Sequence, residues 1–420
     1  MRFYLAAFLT FFCAAAQNVV RPKDVRDAAK PGSSAIPQLA DYLKSPDREV
    51  RLEAVKQIEG IGTARSLDPL ILATHDTDPE IQIRATDGLV NFYLPGYLRT
   101  GLGASIQRVG TDIKGKFTDT NDQVIDAYIT VRPEVIAALA ALVRGGADTD
   151  ARADAARAVG VLRGRAAVSD LVDAAHAKDS QLIYESLAAL EKIRDESAGP
   201  RLVFLLHDLD SKVQTTAMEA VGLLQAKEAL PSLIDVLNRT RDARVKRAAL
   251  EAIAMLPAPT NRPIYAQYLT DKDEKMRAAA AEGFARLGTP SDVPTVQKAW
   301  DEEGKTSPRL SLAFALVALG KTEVSQFSPL QFLINNLNSA AFNGIARPFL
   351  VELARNPNVR TALYGPLAAG TKDEKINLAR VLGASGDRET IPLLQKLSND
   401  PDPDVAQAAL TAARNLQARM

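Results

Sequence analysis

An all-α, right-handed α-solenoid of about ten to eleven stacked helical hairpins is the fold class that these 420 residues predict. Three observations lead there. First, a twelve-residue text recurs: DREVRLEAVKQI from Asp47, DPEIQIRATDGL from Asp78, DSKVQTTAMEAV from Asp210, DARVKRAALEAI from Asp242 and DEKMRAAAAEGF from Asp273. Second, its spacing is nearly constant. Taking the apolar residue three after each Asp, the steps from Val50 to Ile81, Leu182 to Val213 and Val245 to Met276 are each 31 residues, and from Val213 to Val245 it is 32. A period of that size marks stacked supersecondary units. Third, 46% of the chain is apolar but only 5% aromatic, which suits close helix–helix packing better than a β-sandwich.

The chain divides accordingly. Residues 1–16 read as a secretory leader: MRFYLAAFLTFFCAAAQ has Arg2, an apolar run from Phe3 to Phe12, and Ala14 and Ala16 ahead of Gln17. The apolar run is short for a membrane span. The single cysteine, Cys13, lies inside this segment, with Thr10 and Phe12 where a lipidated leader has Leu and a small residue. A chain cleaved after Ala16 therefore has no thiol and no disulfide. Residues 17–32 hold a linker and a lone capping helix, PKDVRDAAK at 22–30. Helical repeats follow at 33–96 and again at 132–420, with an insertion at 97–131.

Each repeat parses into two helices. The second begins at the Asp, whose carboxylate accepts from the unpaired N–H groups of the first turn. Pro79 and Pro403 fall at its first position, where a missing N–H costs nothing. Apolar residues then return at helical spacing, as at Val50, Ala54, Val55 and Ile58, and Gly60, Gly222 and Gly288 read as stops. The first helix is announced by Pro37, Pro69, Pro200, Pro231, Pro263, Pro294 or Pro392. Ala54, Ala85, Ala155, Ala217, Ala249, Ala280 and Ala409 stand four residues after the reference position and predict close contact between neighbouring helices. No unit buries both its faces alone, so each is expected to lean on its neighbours in single file. The stretch SPLQFLINNLNSAAFNGIARPFLVELAR has lost the Asp and carries Pro348, which predicts an irregular or kinked repeat.

The D-x-x-V-[RKQ]-x-x-A core and the Pro-led first helix resemble the HEAT repeats, in the short form of about thirty residues that phycobilisome-lyase-like proteins share. The resemblance runs over roughly 33–420 apart from the insertion, and it implies an α-solenoid. It does not by itself imply an activity.

Candidate chemistry is sparse. Arg51, Gln82, Arg152, Gln214, Lys246 and Arg277 follow the reference position. One reading makes them a positive stripe for an anion. The other, favoured by 51 basic against 51 acidic residues and implied by the HEAT resemblance, has them bonding to loop aspartates of adjoining units. His75, His176 and His207 fall in no metal-binding spacing, and the His-Glu pairs of iron-binding HEAT hydroxylases are missing, so no metal, cofactor or catalytic residue is assigned. Zero net charge disfavours a nucleic-acid partner.

The insertion is the exception to the period. From 97 to 118 it carries Arg99, Arg108, Lys114 and Lys116 against Asp112, with apolar residues at helical spacing but Gly101, Gly103, Gly110 and Gly115 among them. A hairpin of DIKGKFT against QVIDAYITV is the alternative conformation. Three roles stay open: a flap on the solenoid, a docking element for another protein, or a segment touching an anionic membrane. Tyr97, Arg99, Arg108, Lys114, Lys116 and Phe117 are the candidate partner-binding residues. The functional expectation is a non-enzymatic protein–protein interaction scaffold of the cell envelope, periplasmic or secreted. The alternative is a cofactor-attachment enzyme or chaperone like the phycobilisome lyases.

Overall fold

The computed structural model describes residues 20–97 and 124–420. The leader at 1–16 and most of the insertion, 98–123, lie outside the described residues. Helix α1 (Pro22–Ala29) opens the array, and its Val25 is fully buried. Among the described residues eleven pairs follow. They begin with α2 (Ile36–Tyr42) and α3 (Arg48–Ile61), then α4 (Leu67–Ala73) and α5 (Pro79–Tyr93). After the insertion come α6 (Pro133–Gly145) with α7 (Thr149–Val161), and α8 (Val168–Ala174) with α9 (Ser180–Ile193). The fifth pair joins a 3-10 stretch, Glu196–His207, to α10 (Ser211–Leu223). Next are α11 (Leu230–Arg239) with α12 (Ala243–Met255), α13 (Arg262–Tyr268) with α14 (Glu274–Leu287), and α15 (Val293–Glu302) with α16 (Thr306–Ala318). The last three are α17 (Pro329–Asn336) with α18 (Asn343–Leu353), α19 (Pro357–Ala369) with α20 (Lys372–Ser385), and α21 (Thr390–Leu397) with α22 (Pro403–Gln417). No strand occurs among the described residues.

The expected caps form. Asp47, Asp78, Asp148, Asp179, Asp210, Asp242, Asp273 and Asp402 each accept from one or two N–H groups of the helix that follows. Such a cap contributes about 1 kcal/mol, so the recurring Asp is a local stabiliser before it is anything else. Two register expectations are corrected: Leu310, three after Ser307, and Ile376, three after Asp373, read in sequence as reference positions equivalent to Val50. Leu310 and Ile376 lie two positions beyond the place held by Val50, because α16 starts after Lys305 and α20 after Thr371, whose hydroxyl forms a capping box with Glu374. Leu310 is nevertheless fully buried, whereas Ile376 is only half-buried and Leu378 is the first fully buried apolar residue of α20.

Second helices stack on second helices from α3 to α22 in one column. All seven alanines of the predicted contact row are fully buried. The glycines divide differently from the sequence reading. Gly288 does end a helix, at φ +62, but α3 ends at Gly62, φ +57, while Gly60 and Gly222 are inside helices. Glycines within the column serve close approach: a Cβ at Gly160 would stand 2.6 Å from the Cα of Ala189, and one at Gly383 would be 2.7 Å from the Cβ of Ala412.

The unit expected to be irregular is so. Helix α18 lacks a side-chain cap, carries Pro348 and is 11 residues long. It is held from outside: Arg286 of α14 reaches past the intervening pair to Glu352, with two contacts of 3.0 Å, and lies 5.4 Å over the Phe314 ring, itself stacked on Phe349 at 4.4 Å. A charge this deeply buried is tolerated only because Glu282 and Glu352 both face it.

The close approach makes an opposed pair of predictions. Gly160→Ala drives a methyl into the backbone of α9 and lowers stability by about 1–3 kcal/mol. Gly60→Ala, on an exposed helical turn with nothing within 4 Å, raises it by roughly 0.5–1 kcal/mol. Urea-unfolding midpoints of the two variants should shift in opposite directions.

Candidate functional site

The basic row after the reference position is internal. Arg51 donates from Nε and Nη2 to both oxygens of Asp76, at 2.7 and 3.2 Å, and from Nη1 to the Ser45 carbonyl at 3.1 Å. Arg277 repeats this with Glu303, at 2.7 and 3.1 Å, and with the Asp271 carbonyl. Arg152 and Gln214 donate to the carbonyls of Val143 and Leu206, while Lys246 lies 5.6 Å over the Tyr268 ring. Gln82 works both ways: its amide donates to the Asp76 carbonyl at 2.6 Å and accepts from the Ala147 N–H at 2.8 Å. That second bond ties the pair before the insertion to the pair after it. These groups stitch loops together and do not form an anion-binding stripe.

Of the six candidate partner residues, only Tyr97 is described. Its side chain is half-buried against the core and its N–H donates to the Leu94 carbonyl at 3.1 Å. It also lies close enough to Arg157 for the two to interact electrostatically. Arg99, Arg108, Lys114, Lys116 and Phe117 lie outside the described residues. The second arm of the suggested hairpin is not a strand. Residues 124–132 run irregularly: the Ile125 N–H donates to the Val161 carbonyl at the end of α7, and the Arg132 N–H to the Tyr93 hydroxyl on α5.

Beside Tyr97, the joint between α5 and α7 gathers charge. Arg157 binds Glu185 through two contacts, at 3.0 and 2.6 Å, and Asp154 at 2.9 Å, while Arg84 sits 3.7 Å from Glu59. Asp87 is pushed up to about 7, by burial first and then by the negative charges of Asp154 and Glu59, with Arg157 and Arg84 pulling the other way. Burial likewise raises Glu59. The sequence held a signal for this cluster, since Asp87 and Asp154 lie inside helices and not at caps, but the periodic caps masked it.

A larger feature had no sequence signal. The array does not stay in single file: the last part of the insertion meets the last helix. The Asn415 side chain of α22 accepts from the Ala127 N–H at 3.0 Å and donates to Asp126 Oδ1 at 3.0 Å, across 288 and 289 residues of chain. Nearby, burial and the Asp126 carboxylate raise the Tyr128 phenol, and Arg414 opposes them. The contact lines a cleft of about 1010 Å³ that Tyr93, Ile125 and Tyr128 share with Lys372, Arg380 and Gln407. Lys372 is engaged with Asp402 at 3.0 Å and with Asp404.

The charge cluster makes a pH prediction. Below about 4, Asp87 is protonated whether the chain is folded or not, and it adds nothing unfavourable. As pH rises toward 7 the unfolded chain gives up this proton and the folded one holds it, so stability falls across that window. Asp87→Asn should therefore melt above the original protein at pH 8, with the gap closing at pH 4. Thermal melts at the two pH values check it.

A family model of HEAT repeats matches residues 23–98 and 230–317. No curated protein sequence matches the chain. Similar solved structures include the complex of CpcE and CpcF of phycocyanin lyase from Nostoc sp. PCC7120, 18% identical over 78% of this chain and 97% of that one, with a TM-score of 0.33. Human deoxyhypusine hydroxylase is 20% identical over 68% of this chain and 96% of its own, at a TM-score of 0.28. Kap121p is 14% identical over 93% of this chain and 47% of its own, at 0.40. The chain carries HEAT repeats at 23–98 and 230–317, and pairs of the same build continue among the other described residues, the architecture of a repeat protein-interaction scaffold.

Proposed function

We propose that this chain is a protein–protein interaction scaffold exported to the cell envelope, working through the surface of its helical array and the insertion at 97–131. The observation that carries the reading is the fate of its charged residues. The recurrent Asp side chains cap helices, and the basic row binds loop carbonyls, carboxylates or a ring. What is left for function is shape: an extended run of helices, which suits a long and shallow partner better than a small substrate.

Export rests on the layout of residues 1–17, a basic residue, an apolar run and small residues before Gln17. Among the described residues, no helix is long and apolar enough to cross a membrane. No group of three or more His, Cys, Asp or Glu among them is placed to hold a metal ion.

Two measurements test the proposal. Fused to a phosphatase that is active only outside the cytoplasm, residues 1–30 should give activity, and the recovered full chain should begin at Gln17. Inactive fusions would remove the envelope from the reading. Deleting residues 99–118 should abolish capture of a defined protein partner from the envelope fraction and leave the thermal melt unchanged. A lowered melt with capture retained would make the insertion structural, and a chromophore copurifying in stoichiometric amount would replace scaffolding with cofactor attachment.

A further inference from the structure

The contact between Asn415 and the segment at 126–127 is out of keeping with everything around it. In a stacked array each unit is held by its neighbours, and the column from α3 to α22 needs no contact between units far apart in it. Here one side chain makes two bonds to a place almost 300 residues earlier, using both ends of the amide: the oxygen takes a backbone N–H, the nitrogen gives to a carboxylate. The contact itself is partly solvated, with the buried Ile125, Ala412 and Leu416 beside it. Asp126 and Tyr128 are exposed, Asn415 and Ala127 half-buried. Asp126, Ala127 and Asn415 themselves line the cleft of about 1010 Å³, and most of its other lining comes from the two parts of the chain that this contact joins.

We propose that Asn415 is a latch that closes the array on itself and sets the width of this cleft. Two partly solvated hydrogen bonds are each worth a few-fold to roughly tenfold in an equilibrium, so closed and open forms lie close enough in free energy for a single change to shift their ratio. When the latch parts, the wall carrying Lys372 and Arg380 moves away from the wall carrying Tyr93 and Ile125, and each unit keeps its own neighbours. The latch concerns the shape of the chain and does not rest on the scaffold reading.

The chemistry of the pair supplies its own control. Asn415→Asp removes the donor and sets a second carboxylate against Asp126. Adding Asp126→Asn exchanges the two groups: the amide now stands on the loop, and the carboxylate on α22 still accepts from the Ala127 N–H. The experiment uses the full chain carrying Cys13→Ser, with spin labels at Thr130→Cys and Gln417→Cys, both exposed positions. The unaltered pair should give one short, narrow distance. Asn415→Asp should move the distribution to longer, broader distances, with the closed fraction down at least tenfold and the helical circular dichroism unchanged. The exchanged pair should restore the short distance. Long distances in the unaltered pair, one distribution shared by all three proteins, or an exchanged pair that stays open would each overturn the proposal.

Discussion

The structure depends on how closely one second helix can approach the next. Ala54, Ala85, Ala155, Ala217, Ala249, Ala280 and Ala409 put a methyl, and Gly160 and Gly383 only a hydrogen, where larger side chains would hold the helices apart. Close approach lets Val50, Ile81, Leu182 and Val213 leave water almost completely, each worth roughly 1.5–3 kcal/mol. An isolated helix of 13 to 15 residues is marginal in water, so the column is what makes these helices stable. The short first helices, many only seven or eight residues, depend on it further.

Charge serves the same architecture. With basic and acidic residues equal in number, most of the polar groups singled out by their periodicity have a partner one loop away. Such bonds set spacing between units more than they add stability, because partly exposed ion pairs are worth little. Arg286 is the contrast. Its buried contacts with Glu282 and Glu352 anchor a unit whose second helix has no side-chain cap and carries a proline, so local weakness in sequence is offset by a longer reach in space.

The insertion changes the array without breaking it. Pairs on either side still stack through α5 and α7, and Gln82 bridges their loops. The same joint concentrates carboxylates and arginines, and the chain leaving the insertion crosses to α22. A plain solenoid offers one continuous surface. This one offers a surface and a cleft whose lining joins residues 93–95 and 124–129 to the last helices.

How much of this was legible beforehand follows from the range of the forces involved. Caps, helix starts and the alanine row were readable because each is decided within a turn or two of its own residues, and repetition showed the same solution many times over. Register slipped at Leu310 and Ile376 where a different residue took the cap, since Lys305 and Thr371 do not carry the Asp signature. Gly60 and Gly222 were misread as stops because a glycine that ends a helix and one that admits a neighbour look alike in one dimension. Asp87 needed the approach of α7 to show its displaced proton equilibrium. By itself the sequence determined the units and their order. Tertiary structure alone decided that the file curves back until Asn415 meets Asp126, because curvature sums small rotations between units, and no single repeat encodes that sum.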